Sequence, residues 1–309
     1  MKTLVFIRWL VPLCFLPIII TGCDNGGDEQ ENPPPQSACG VAPASAFSSP
    51  TLLTAVNSAD NDFGPEVTNG QLSLYLTSDR GGGYGSYDIY VSERASLTED
   101  WGTPVNLGTD INTDADEREA TVSSDGLTLI FASNRDGEFD LFMSTRNSVS
   151  DAWGPATNMG STINSAGTTD AGPSLSEDGL TLVFVSNRPG SLSSAVDLYV
   201  TTRASTTDAW STPINLGATV NSDAPDSAPD ISCDGLRVYF HSIRSGNLDL
   251  WMTERSSLDS PWSMPSIIPT PVSTDASELS PSISADESTL YFANNWLDSN
   301  TTDIWRVTR

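Results

Sequence analysis

The sequence predicts an all-β fold, a five-bladed β-propeller of four-stranded antiparallel blades closed by an amino-terminal strand in the last blade. Three observations carry this. A unit of roughly fifty residues recurs through residues 47–309, helical periodicity is absent beyond the first twenty residues, and each chain end holds a piece of a blade that the other lacks.

The repeat is clearest in Ser124–Phe131, Glu177–Phe184 and Cys233–Phe240, each with Asp-Gly ahead of an apolar run. A fourth copy, Ala285–Phe292, has lost the glycine, and a fifth, Asn69–Leu76, keeps Asn-Gly with a one-residue slip. Every copy is followed by a short apolar strand led by Asp88, Asp140, Asp197, Asp249 or Asp303, at spacings of 52, 57, 52 and 54 residues. Only loop length therefore changes between copies.

Within a copy, small residues such as Pro173-Ser174-Leu175-Ser176 make a first strand suited to a crowded central axis. Asp-Gly supplies the tight turn, because both residues tolerate positive φ. The second strand is apolar on nearly every residue, as blade-on-blade packing requires. The third begins at the aspartate, and a fourth follows the turn at Trp101, Trp153, Trp210 and Trp262. The last copy stops at Arg309 before a fourth strand, while Phe47–Leu53 matches Trp210–Leu216. Pairing this segment into the last blade closes the ring and removes its open edges.

Ahead of the fold, Lys2 and Arg8 precede a short apolar run from Trp9 to Ile20, the pattern of a signal peptide over residues 1–22. Ile20-Thr21-Gly22-Cys23 resembles a bacterial lipobox, which implies lipidation at Cys23 and anchoring in the cell envelope, in either membrane. Residues 23–46 are rich in Gly, Pro and acids and poor in large apolar side chains, so they read as the lipidated cysteine and a disordered tether.

The whole chain carries a formal charge of −26. Without Lys2 and Arg8 the remaining fourteen less two basic residues are all arginine, against 40 acids, giving −28. Such a surface disfavours nucleic acid and anionic headgroups, so the membrane is met through the lipid alone. Lysine-free, acid-rich composition suits a salty habitat, or else reflects simple compositional drift. Of the four cysteines only Cys39 and Cys233 are left to form a disulfide.

The pattern Pro-x-(Leu/Ile)-Ser-x-Asp-Gly-x-x-Leu-x-Phe-x-Ser-x-Arg followed by Asp-(Leu/Ile)-Tyr resembles the WD-like repeats of TolB-type propellers, and covers residues 47–309. The resemblance implies an envelope propeller that binds or scaffolds other proteins. The sequence departs from TolB in lacking its separate amino-terminal α/β domain and in having five rather than six blades.

Strand polarity puts the blade-to-blade crossings and the second-to-third-strand hairpins on one face. Acids recur there: Asp60 and Asp62; Asp114, Asp116 and Glu117; Asp170; Asp223 and Asp226; Asp275 and Glu278. They make a candidate binding face for a protein or peptide, a basic one in particular, or else cap turns as solvated loop carboxylates. Arg118, aligned with Asp62, Asp170, Asp226 and Glu278, breaks the pattern, as does Trp296, which replaces a repeated arginine and could stack on a sugar or a partner's side chain. The pairs Arg80/Asp88, Arg135/Asp140, Arg188/Asp197 and Arg244/Asp249 flank hairpins and are expected to bond across them as architecture.

No cofactor is expected. Asp110–Asp116 has the alternating oxygens of a calcium loop, but Ala115 stands where glycine is required and Thr121 where a glutamate should close it. His241 is the single histidine, lodged in a second strand, and no Gly-x-Ser-x-Gly elbow accompanies it, so enzymatic function is not favoured. Glycan binding or glycoside hydrolysis by central carboxylates is the rival reading.

Overall fold

In the computed structural model, residues 39–40, 46–193, 195–295 and 301–309 are described, and among them the chain forms twenty strands and no helix. Thr51–Leu52 is β1. Blade 1 comprises Asp62–Val67 (β2), Ser73–Ser78 (β3), Asp88–Glu93 (β4) and Val105–Asn106 (β5). Blade 2 comprises Glu117–Val122 (β6), Thr128–Ser133 (β7), Asp140–Thr145 (β8) and Thr157–Asn158 (β9). Blade 3 comprises Asp170–Leu175 (β10), Thr181–Ser186 (β11), Asp197–Thr202 (β12) and Ile214–Asn215 (β13). Blade 4 comprises Asp226–Ile231 (β14), Arg237–Ser242 (β15), Asp249–Glu254 (β16) and Ser266–Ile267 (β17). Blade 5 comprises Glu278–Ile283 (β18), Thr289–Asn294 (β19) and Asp303–Thr308 (β20), and β1 completes it, with Thr51 opposite Arg306 and Leu52 opposite Trp305. The closure expected from the chain ends is the one observed.

The second strands fill the spaces between blades. Leu74, Leu129, Leu182, Val238 and Leu290 are fully buried, and burial of a side chain of this size contributes roughly 1.5–3 kcal/mol. Each tryptophan at the start of a fourth-strand segment reaches back to the preceding blade. Trp153 meets Tyr75 edge-on at 6.5 Å, and Trp101 meets Tyr291 at 6.3 Å.

The first strands pack in the cyclic order β2, β6, β10, β14, β18 and back to β2. A belt of cross-blade bonds seals this ring. The N–H of Val122 donates to Glu66, Leu175 to Thr121 Oγ1, Ile231 to Ser174 Oγ, Ile283 to Asp230 and Val67 to Ser282 Oγ, at 2.6–3.4 Å. One side chain at the fifth position of each first strand thus satisfies an amide of a neighbouring blade. Two positions earlier each first strand bulges. Gly64 and Gly172 take positive φ there, and so do Glu119, Ala228 and Ser280, with φ of +46° to +49°.

The Ser-x-Asp-Gly turn is equally regular. Ser123 Oγ and the Leu127 N–H donate to Asp125, while Gly126 supplies φ of +71°. In blade 5 Glu287 occupies this left-handed position at +53°, and its buried carboxylate accepts from Arg237, Arg309 and the Tyr239 hydroxyl at 2.6, 3.2 and 3.0 Å. That cluster ties the chain's last residue into blades 4 and 5. Cys39 and Cys233 form a disulfide with 5.3 Å between Cα atoms, and the Gly40 N–H donates to the Ala285 carbonyl at 3.1 Å. Cys39 and Gly40 are thereby fixed to the face of the Asp-Gly turns.

Candidate functional site

On the crossing face, each first strand opens on a buried acid: Asp62, Glu117, Asp170, Asp226 and Glu278 are all 0% exposed. The first four meet a repeat arginine. Arg80 bonds Asp62 at 2.5 Å, Arg135 bonds Glu117 at 3.1 Å, Arg188 bonds Asp170 at 2.5 Å, and Arg244 bonds Asp226. Each arginine also donates to the preceding crossing, at the Val56, Ile111, Ile163 or Val220 carbonyl, and to the serine of the Ser-x-Arg motif. Each also lies over an aromatic ring of its own blade, Arg135 at 4.7 Å from the Phe142 centroid. The second carboxylate oxygen caps the crossing, as when Ser222 N–H donates to Asp226 at 2.7 Å.

These contacts correct two sequence expectations. The pairs Arg80/Asp88, Arg135/Asp140, Arg188/Asp197 and Arg244/Asp249 do not form, because each guanidinium goes to the buried acid that opens the first strand, while the hairpin aspartate is met by donors close to it. Asp88 instead accepts from the amides of Tyr84 and Gly85 and from Asn106, Asp197 from Leu192, Ser193 and Asn215, Asp140 from Asn158, and Asp249 from the Ser245 hydroxyl. Nor can Asp62, Asp170, Asp226 and Glu278 offer charge to a partner, since all four are interior.

Arg118 is also one residue out of the alignment read from sequence: Glu117 is the counterpart of Asp62. Arg118 pairs with Asp116 at 2.8 Å and lies between Tyr87 and Phe139, 4.3 and 5.2 Å from their centroids. It therefore joins the hairpins of blades 1 and 2. Glu278 accepts from Asn294 at 2.7 Å and from Thr274 at 2.6 Å. Trp296 and Cys23 lie outside the described residues.

What remains at the surface of this face is acidic. Asp60, Asp114, Asp223 and Asp275 are exposed on four of the five crossings, and Asp136 and Glu138 on the blade 2 hairpin. The calcium-like segment does not converge. Asn112 Oδ1 accepts the Ile89 N–H inside blade 1, Asp114 faces outward and Asp116 holds Arg118. No group of three His, Cys, Asp or Glu side chains among the described residues is arranged to hold a metal.

The channel at the ring's centre holds acids that the sequence reading passed over. At the belt position Glu66 and Asp230 stand where the other blades have Thr121, Ser174 and Ser282. Burial raises both carboxyls, Asp230 to about 7, and the charge of Asp230 raises Glu66 further. Glu119 is raised by burial too. The signal was the break in repeat symmetry at one first-strand position. Cavities of about 30 and 20 Å³ flank the pair along the channel, room for little more than a water molecule on each side. His241 serves the same interior: its Nδ1 accepts the Ser280 N–H at 3.1 Å, which leaves the proton on Nε2, and burial lowers its pKa to about 4.

No protein-family model matches the chain, and no curated protein does. Among solved structures, TolB of Agrobacterium tumefaciens matches with a TM-score of 0.50 and 15% identity over 83% of this chain and 80% of that one. TolB of Acinetobacter baumannii gives 0.50 and 16%, over 82% of this chain and 56% of that one. The chain has a TolB-type propeller fold. An endo-arabinase from Bacteroides thetaiotaomicron shares it, with a TM-score of 0.56 and 15% identity over 86% and 98% of the two chains.

Proposed function

We propose that the chain is an envelope lipoprotein, held to a membrane through Cys23, whose propeller binds a basic protein segment across the crossing face. The supporting observation is the imbalance of available charge. Asp60, Asp114, Asp223 and Asp275 are exposed around the ring, whereas Arg80, Arg118, Arg135, Arg188 and Arg244 are each committed to a carboxylate. A field of one sign steers and orients an oppositely charged partner. The Cys39–Cys233 disulfide lies on the opposite face. An arginine-rich peptide titrated against the full chain tests the reading. Affinity should fall steeply with salt, and by at least about tenfold when the four aspartates become asparagine; equal affinity for both proteins would refute it.

The rival reading, cleavage of a glycan, draws on the endo-arabinase likeness and on the raised carboxyls of Glu66 and Asp230. Against it, both carboxylates are tied into the belt beside cavities too small for a sugar ring. Release of reducing ends from arabinan, lost in Glu66→Gln, would favour the rival.

A further inference from the structure

Blades 1 to 3 share an asparagine frame beneath the crossing face. Asn106, Asn158 and Asn215, ending the fourth strands, donate to Asp88, Asp140 and Asp197 at 2.8, 2.9 and 2.8 Å. Asn112, Asn164 and Asn221 donate to the side-chain oxygens of those asparagines and to the carbonyls of Ile89, Leu141 and Leu198, and accept the N–H groups of the same three residues. Blade 4 has neither asparagine. Ile267 stands at the first position and Ser273 at the second.

The consequences are concentrated in one place. The Leu250 N–H loses the acceptor that its counterparts have. Ser273 Oγ is buried without a hydrogen-bond partner, in a residue only 7% exposed. Asp249 is 5% exposed and, among the described residues, accepts only from the Ser245 hydroxyl, at 2.6 Å. Ser273 and Asp249 line an open crevice of about 690 Å³ whose other walls include Ile267, Pro269 and the exposed Asp275. Asn247 pins the crossing beside it, donating to the Thr274 and Ala276 carbonyls at 3.0 and 2.6 Å. A short apolar wall thus leads to one buried carboxylate, one unused hydroxyl and a second carboxylate at the rim.

From this we infer that the blade 4 crevice binds a cationic group carried on an aliphatic stem, supplied as an arginine or lysine side chain of the partner. The stem lies along Ile267 and Pro269, and the guanidinium or ammonium donates to Asp249 and Ser273 Oγ, with Asp275 adding charge at the mouth. This rests on the basic-partner reading and adds the place where its anchoring side chain enters.

Butylguanidinium and butylammonium, with butylurea as the uncharged control, are titrated against the full chain by calorimetry. Either cation should bind at least about tenfold more tightly than butylurea. Binding should drop by a similar factor in Asp249→Asn and vanish in Ile267→Asn/Ser273→Asn, which rebuilds the frame of the other blades. That double variant should melt no lower than the parent, so a loss of binding cannot be ascribed to unfolding. Equal binding by the parent and the double variant, or no preference for the cations, would overturn the inference. An arginine-containing peptide separates a side chain from a free cation, and should bind more tightly than butylguanidinium and lose that gain in the double variant. If the peptide binds both proteins alike yet depends on Asp60, Asp114, Asp223 and Asp275, the crevice falls and the acidic-face reading stands. If butylguanidinium binds but the peptide does not, the partner reading fails, and with it the side-chain source.

Discussion

Blades 2 and 4 have the same short hairpin, and beside each the crossing face opens into a crevice, of about 520 and 690 Å³. In blade 2 the polar groups beneath it are matched: Asn158 and Asn164 bond each other, Asp140 and both main-chain groups of Leu141. In blade 4 the matching fails at Ser273. That failure is not general drift, because a neighbouring pair in blade 4 was replaced in concert. Asn61, Asp116, Thr169 and Ser277 donate an N–H to Asp79, Asn134, Asn187 and Asn295, but in blade 4 the donor is Pro225, which has no N–H, and the acceptor is Ile243. In that pair donor and acceptor disappeared together, whereas at Ser273 an unmatched hydroxyl is left beside the crevice.

Substitutions common to both blades should show equal and large effects. Arg135→Ala and Arg244→Ala each strand a buried carboxylate, and each should cost about 3–5 kcal/mol in urea denaturation. A loss under about 1 kcal/mol in either would mean that the arginine–acid unit is not architectural. The frame itself should separate the blades. Asn164→Ala leaves the Leu141 N–H without an acceptor and its carbonyl with the Met159 N–H alone, and should cost about 1–3 kcal/mol, whereas Ser273→Ala removes an unpartnered hydroxyl and should be neutral or slightly stabilising. Comparable losses from the two would erase the contrast on which the crevice rests.

The channel gives a smaller, pH-dependent contrast. Glu66 and Asp230 have folded-state pKa values above their unfolded ones, so the folded protein holds more protons, and stability is lost as pH rises through each folded value, about 7 for Asp230. His241 works in the opposite sense, its lowered pKa removing stability only as pH falls below its unfolded value near 6.5. Between pH 8 and 6.5 the carboxyl effect is the larger, because the unfolded histidine is at most half protonated there. The melting temperature should rise on acidification through that window, and Asp230→Asn should flatten the rise. A parent protein that is steeply less stable at pH 6.5 than at pH 8 would contradict this assignment. The smallest effect should come from Asp114→Asn, an exposed crossing residue, which should alter stability by no more than about 0.5 kcal/mol while weakening the arginine-rich peptide.

The ring was legible because it is written five times. The Asp-Gly turns and the aspartate-led strands recur from copy to copy, and the misplaced fourth strand is explained by closure. Charge partners were less legible. Arg80 is eight residues from Asp88 and eighteen from Asp62, and sequence distance favours the nearer, whereas the amides of Tyr84 and Gly85 and the Asn106 side chain satisfy Asp88 and the guanidinium goes to the farther. The run of acids Asp114, Asp116 and Glu117 also let the blade 2 alignment slip by one, which made Arg118 look like a substitution in the acid row. The central acids and the crevice left a signal of one kind, an odd residue in a column of repeats. Glu66 and Asp230 stand among hydroxyls, and Ile267 and Ser273 answer asparagines, but those columns can be drawn only once strand register is known.

Hydrogen–deuterium exchange on the full chain, with and without the arginine-rich peptide, maps the bound surface directly. Protection should gather on the crossings that carry Asp60, Asp114, Asp223 and Asp275, and be strongest across residues 267–278 of the blade 4 crevice. Protection confined to the Asp-Gly turns, around Asn69, Asp125 and Asp178, would place the partner on the disulfide-bearing face and contradict the account.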